Sequence, residues 1–222
     1  MIRRSVVLAA AAALLAGCGG GAGSGRATLW VTRDEGARVL LVRTVPAGET
    51  AMQALERSAK ISTRYGGRYV ESIGGVSGSL GSRHDWFYFV NGIEADRGAA
   101  EYRLRPGDVE WWDYRDWGKV GETVPVVVGA FPEPFLHGYG GKVRPAVVVG
   151  AASAGARALA RVVHGRVAAT APAGANVLRL VGGPHRFTAR VLPGGAVELD
   201  FSGDAAALAR DPSLYRYRYE VP

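Results

Sequence analysis

The chain is poor in the residues that carry most site chemistry. Of its 222 residues one is cysteine and four are histidine. A lone thiol, Cys18, excludes any internal disulfide. His84, His137, His164 and His185 are scattered without metal-ligand spacing, and the carboxylates are dispersed with no pair placed for general acid–base work. Neither a metal site nor an enzyme is therefore expected. Lysine is scarce as well, 3 against 24 arginines, which fits a GC-rich coding bias better than a phosphate-binding adaptation. The formal net charge of +7 is spread along the chain rather than gathered in a basic run, so no nucleic-acid partner is expected. Long apolar runs are absent too: the longest, Val6 to Ala16, is too short to span a bilayer as a mature helix.

That run has the length of a signal-peptide core, and Arg3 and Arg4 precede it. Leu15-Ala16-Gly17-Cys18 follows and resembles a bacterial lipobox, with two small residues before the cysteine that would carry a diacylglycerol thioether. The reading is a signal peptide over residues 1–17, lipid attachment at Cys18, and a Gly-rich tether through residue 26. Double acylation on one residue anchors durably where a single chain does not. Residues 19–25 have a root-mean-square reach of ~14 Å by random-coil scaling. The expected location is extracytoplasmic, on a cell membrane.

The remaining residues divide near position 118. All five tryptophans lie before it. Residues 18–118 hold 13 basic and 13 acidic side chains, whereas residues 119–222 hold 12 and 7. Two domains are expected, 27–117 and 119–222.

In the first, 27–33 and 38–45 read as strands joined by the turn Asp34-Glu35-Gly36-Ala37. Thr50 with Gln53 fits a capping box opening a short helix, on which Met52, Leu55 and Ala59 share a stripe. Residues 68–73 form a third strand, 74–82 a pliant Gly/Ser loop, and 86–90 a fourth strand. Asn91-Gly92 is a type I′ hairpin signal; Leu104 to Asp108 turns as type II into a last strand, 109–114. One helix against one mixed sheet is the β-grasp plan, an α+β architecture.

The succession GETAMQAL, YVESIGGV and DWFYFVNGIEADRGAAEYRLRPGDVEWWDY resembles the transcobalamin-like C-terminal domain family over residues 28–114. The resemblance implies a β-grasp module that, in animal cobalamin carriers, closes over one face of a corrin ring. It also implies a corrinoid as the ligand class and an uptake transporter as partner. The large helical barrel of those carriers has no counterpart here.

The stretch WFYFVNG, residues 86–92, poses the sharpest question, because alternation places aromatics on both strand faces. Trp86 and Tyr88 share one face, Phe87 and Phe89 the other; Trp111 and Trp112 repeat the doubling. A single helix covers one face. The other needs the second domain, a ligand or partner, or the loop 74–82. The provisional assignment puts Phe87 and Phe89 against the helix and leaves Trp86 and Tyr88 open. Trp86, Tyr88, Trp111 and Trp112 then offer stacking surface, with Asn91 and the loop at the rim. A competing reading makes these aromatics the core of a protein interface, with no small-molecule ligand.

The second domain reads as a small α/β or α+β unit. Strands are expected at 122–130, 144–150, 177–181, 186–192, 196–201 and 215–221, with helices at 153–164 and 205–210. Gly138 to Lys142 lacks the spacing and the hydroxyl of a phosphate loop, and Ser153 reads as a small-residue helix entry rather than a nucleophile.

Overall fold

The computed structural model describes residues 25–222; the signal segment, Cys18 and most of the tether lie outside the described residues. The architecture is α+β. The first sheet is built from β1 (Arg26–Arg33), β2 (Arg38–Pro46), β6 (His84–Val90), β7 (Ile93–Glu94) and β8 (Val109–Asp116), in the order β2-β1-β8-β6-β7. β1 runs parallel to the central β8, and every other pairing in this sheet is antiparallel, which is β-grasp topology. Helix α1 (Ala51–Ser58) crosses one face. Its capping box is formed: Gln53 N donates to Thr50 Oγ1 at 3.2 Å and Thr50 N to Gln53 Oε1 at 2.9 Å. Met52 and Leu55 are buried against the sheet. The Asn91-Gly92 turn has positive φ at both residues, 53° and 77°, as a type I′ hairpin requires.

Between α1 and β6 lies a small sheet, β3 (Ile61–Arg64), β4 (Tyr69–Ile73) and β5 (Val76–Ser77). Sequence reading anticipates only β4. β3 is short and half exposed, and β5 comprises two residues inside the Gly/Ser segment, so neither shows a strand pattern of its own.

After the short helix α2 (Trp117–Val120) the chain forms a second sheet. Its strands are β9 (Ala146–Val149), β10 (Arg166–Ala168), β11 (Asn176–Leu180), β12 (Arg186–Val191) and β13 (Val197–Ser202), in the order β10-β9-β11-β13-β12. All are parallel except the edge strand β12. Helix α3 (Ala154–Val162) links β9 to β10, and α4 (Ala205–Arg210) follows β13. Ser153 is the N-cap of α3, accepting from Ala156 N at 3.0 Å. Gly138 to Lys142 is a turn closed by Lys142 N donating to Tyr139 O.

Two expected strands are absent. Residues 122–130 bridge only once, Val126 with Ile93, before a 3₁₀ turn at Val128–Ala130. Their valines serve two clusters: Val126 and Val128 join the core of the second unit, while Val127 packs on the first sheet. The apolar run thus signals burial between two sheets rather than membership of either. Residues 215–221 behave alike, bridging only at Val221 with Phe187. Tyr217 and Tyr219 turn to the first sheet, and Tyr215 and Val221 to the second core. Alternation is that of a strand, but sheets lie on both sides.

Candidate functional site

The aromatic doubling of β6 and β8 is resolved by two covers, and the expected faces are reversed. Trp86 and Tyr88 lie on the α1 side with Trp112 and Tyr114. Phe89 lies on the opposite face with Trp30 and Trp111, beneath Val127, Ala130, Tyr217 and Tyr219. Alternation tells which residues share a face, not which face meets the helix, and both sets are aromatic here.

None of the five nominated residues forms an open platform. Trp111 is 0% exposed, donates from Nε1 to Thr32 Oγ1 at 2.7 Å, and meets Tyr219 edge-on at 5.7 Å. Trp86 and Trp112 are buried, and their polar handles are satisfied internally, on Val76 O at 2.8 Å and Glu110 Oε1 at 2.6 Å. Tyr88 stacks on Trp112 at 4.9 Å and donates to Arg97 O. Asn91, also buried, donates to Asp108 Oδ1 at 2.8 Å and Gly138 O at 2.7 Å and accepts from Val109 N. It locks the hairpin to β8 and to the 138–142 turn. Only the margins of Trp86, Tyr88 and Trp112 reach a hollow, about 190 Å³, beside Gly98 and Ala99. The Gly/Ser loop, β5 included, is itself part of the cover on the α1 side, since Tyr114 OH donates to Ser77 O at 2.9 Å.

The back face is fastened by Asp113. Its carboxylate accepts from Thr32 Oγ1, from Gly36 N at 3.1 Å and from Tyr219 OH at 2.9 Å, joining β8, the β1–β2 turn and the C-terminal tail. Burial pushes its pKa up, opposed by these donors. Beside it Arg115 is wholly buried, pairs with Glu94 at 2.9 Å and lies over the Phe87 ring at 3.7 Å.

A larger cavity opens elsewhere on the α1 side. It measures about 440 Å³ and is bounded by β1, β2, the end of α1 and the β4–β5 turn. Val31, Leu41, Ala59, Ile73 and Val76 form an apolar floor, and Arg33, Arg38 and Lys60 stand at the rim. No carboxylate lines it among the described residues. None of the three cations forms a salt bridge among those residues. Arg33 and Arg38 are register partners, directly opposite across β1 and β2. Like charges so placed are destabilising. Arg33 Nε is buried without a hydrogen-bond partner, while the guanidinium stacks over Tyr114 at 5.2 Å. Leu40 is the extra residue of a β-bulge, because Val31 pairs with Leu41 and Thr32 with Val39. The bulge turns Leu40 toward the cavity mouth.

The site nominated from sequence missed these cations. A signal was present: two strands joined by a tight turn place Arg33 against Arg38.

Residues 48–116 match a family model described as a domain of unknown function, DUF4430. No curated protein matches. Among solved structures, a candidate metal binding protein from Ruminococcus gnavus ATCC 29149 is 12% identical, covering 41% of this chain and 97% of its own, with a TM-score of 0.35. Haptocorrin in complex with Cbi is 18% identical over 40% of this chain, with a TM-score of 0.32. The chain spans 25% of haptocorrin's length. Among the described residues no group of three His, Cys, Asp or Glu side chains could hold a metal ion.

Proposed function

We propose that this chain is an extracytoplasmic binding protein, tethered to its membrane through Cys18, whose β-grasp unit takes an amphipathic anion. The ligand would lay an apolar body on Val31, Leu41, Ile73 and Val76 and present a carboxylate or phosphate to Arg33, Arg38 and Lys60. The observation carrying this reading is the unpaired Arg33–Arg38 opposition over an apolar cavity. The opposition of the two guanidiniums costs folding stability, whereas an anionic head turns the same arrangement into charge-assisted hydrogen bonding. The C-terminal end of α1, at Ser58 and Ala59, carries partial negative charge and opposes an anion beside it, so Arg33 and Arg38 rather than Lys60 would take most of the head. Handing the ligand to an uptake transporter on the same membrane is the role such a tether would serve.

Corrinoid capture, the class implied by the sequence resemblance, would need a surface other than the packed aromatic strands. The competing reading, an interaction protein without a small ligand, would likewise need another surface, because the back-face aromatics form an interface within the chain itself.

The test is calorimetric titration of the chain from Gly19 onward with decanoate, decyl phosphate and decyltrimethylammonium, and in parallel with cobalamin and cobinamide. Micromolar binding of the anions but not the cation, weakened about tenfold or more by Arg33→Gln with Arg38→Gln, is the expected outcome. Equal heats from anion and cation, or none, would sink the amphipathic-anion site. Corrinoid binding lost in Trp86→Ala would restore the aromatic site.

A further inference from the structure

The outer edge of the first sheet is exposed along nearly its whole length. β2 contains nine residues, and of these only Leu41 and Val45 are not exposed. Val39 and Leu40 are each 45% and Val42 is 52% exposed, an uncommon display for an edge strand. The charges around them have one sign. Arg38 and Arg43 project from the strand, Arg26 reaches the edge to donate to Thr44 O at 3.3 Å, and no carboxylate occurs between Gly36 and Gly48. The nearest acids lie at the ends: Glu35 is paired with Lys119 and Glu49 with Arg57, leaving Asp34 at the turn.

The two kinds of side chain take opposite faces. Val39 and Val42 register with Thr32 and Trp30, on the face away from α1; Arg38 and Arg43 register with Arg33 and Leu29, on the α1 face. A flat protein partner covers one face of a strand. A lipid interface conforms to both sides of a rim and offers anionic heads beside apolar depth. Under the tether reading the same occupant is favoured: Arg26 registers with Pro46 at one end of β2, so an anchor at Cys18 would bring that end of the rim to the membrane.

We infer that the β2 edge is a docking surface for an anionic lipid bilayer, laying the rim on the membrane to which the chain is tethered. This rests on the tether reading for its orientation. Near the bilayer each arginine adds about fivefold to partitioning. Intrinsic affinity of the untethered chain is therefore weak, and the anchor makes it effective by holding the rim at high local concentration.

Co-sedimentation of the unlipidated chain from Gly19 with phosphatidylglycerol or phosphatidylcholine vesicles tests the surface without the anchor. Partitioning onto the anionic vesicles should exceed that onto neutral ones at least tenfold and collapse in 1 M salt. Arg43→Gln should lower it about fivefold and Val42→Ser with Val39→Ser further. Neither change touches the cavity, so decanoate titration should be unaltered. Equal partitioning on both lipids, or partitioning indifferent to these substitutions, would overturn the docking surface. So would a β2-dependent dimer in sedimentation equilibrium, which assigns the edge to a second copy. Lipidation itself is read separately, from the mass of the N-terminal peptide, and its absence would refute the tether while leaving the vesicle result standing.

Discussion

Replacing Arg38 by glutamine should make the protein more stable and a poorer binder, a pair of effects that a structural arginine cannot give. Two unit charges about 6 Å apart in water-like surroundings repel by ~0.7 kcal/mol, within the ~0.2–1 kcal/mol range for cross-strand pairs. Arg38→Gln keeps a long polar side chain at the cavity rim and removes that repulsion, so a gain of about 0.5 kcal/mol is expected at low ionic strength. For a chain of this size it raises Tm by about 1–2 °C. In 1 M salt the Debye length shrinks to about 3 Å and the gain should vanish. Over the same substitution, decanoate affinity should fall about tenfold, the worth of one charge-assisted hydrogen bond. Arg33→Gln makes an internal control. It removes the same repulsion but also the stacking on Tyr114, worth about 0.5–1 kcal/mol, so its stability should barely change. Thermal melts and urea titrations of both variants at 20 mM and 1 M salt decide the matter. Arg38→Gln melting lower than the parent at both salts would refute the reasoning, because the guanidinium would then be holding the fold together.

Glu110 is fully buried, accepts from Trp112 Nε1, and has an Oε2 with no partner; burial raises its pKa well above the ordinary carboxylate value. A folded pKa above the unfolded one means stability is complete below the unfolded value and is lost as pH rises toward the folded one. The stability gap between Glu110→Gln and the parent should therefore widen from pH 5 to 8, by at most about 1.4 kcal/mol per pH unit, in urea titrations. A gap independent of pH would contradict this. Thr50→Ala opens the capping box of α1 and should cost about 1 kcal/mol by the same assay. Gly36 has φ +79°, and a Cβ there would lie 1.7 Å from Tyr217 O. Gly36→Ala should thus lift the tail from the back face, costing about 2 kcal/mol or more and weakening the near-ultraviolet tryptophan dichroism.

Legibility in the sequence followed the range of the interaction. The capping box at Thr50, the hairpin at Asn91-Gly92 and the turn at Pro106-Gly107 are decided within a few residues, and each forms as read. The aromatic faces are decided by distant parts of the chain, Tyr217 and Tyr219 lying about 100 residues or more beyond Trp111, so only their sharing was visible. Sequence reading expects the tryptophans to offer an open stacking surface, which would leave their Nε1 groups to solvent or ligand. They instead meet Val76 O, Thr32 Oγ1 and Glu110 Oε1, acceptors supplied by the fold itself. The cavity escaped notice because one of its walls is the Ile73–Val76 corner, where β4 turns into a two-residue β5 that carries no strand pattern, although Arg33 and Arg38 were readable as opposed from their turn.

The two faces of the first sheet differ in how they can respond to a ligand. On the back face, Asp113 ties three segments together, and Arg115 adds a buried ion pair and a ring contact. Opening that face would break the hydrogen bonds that hold Asp113 to the β1–β2 turn and the tail, so it is suited to rigidity. The α1 side is closed by short pieces: β5 has two residues, and Gly74 and Gly75 turn at positive φ with nothing within 4 Å of a Cβ at either. Few contacts hold this cover, and its Ile73–Val76 corner is a wall of the cavity. A ligand entering beneath Leu40 therefore meets a fixed floor on β1 and a yielding wall at 73–76. Hydrogen exchange separates the two: on saturation with decanoate, protection should rise at 72–77 and stay unchanged at 111–115. The opposite pattern would place the mobile face, and with it the ligand, under the second unit.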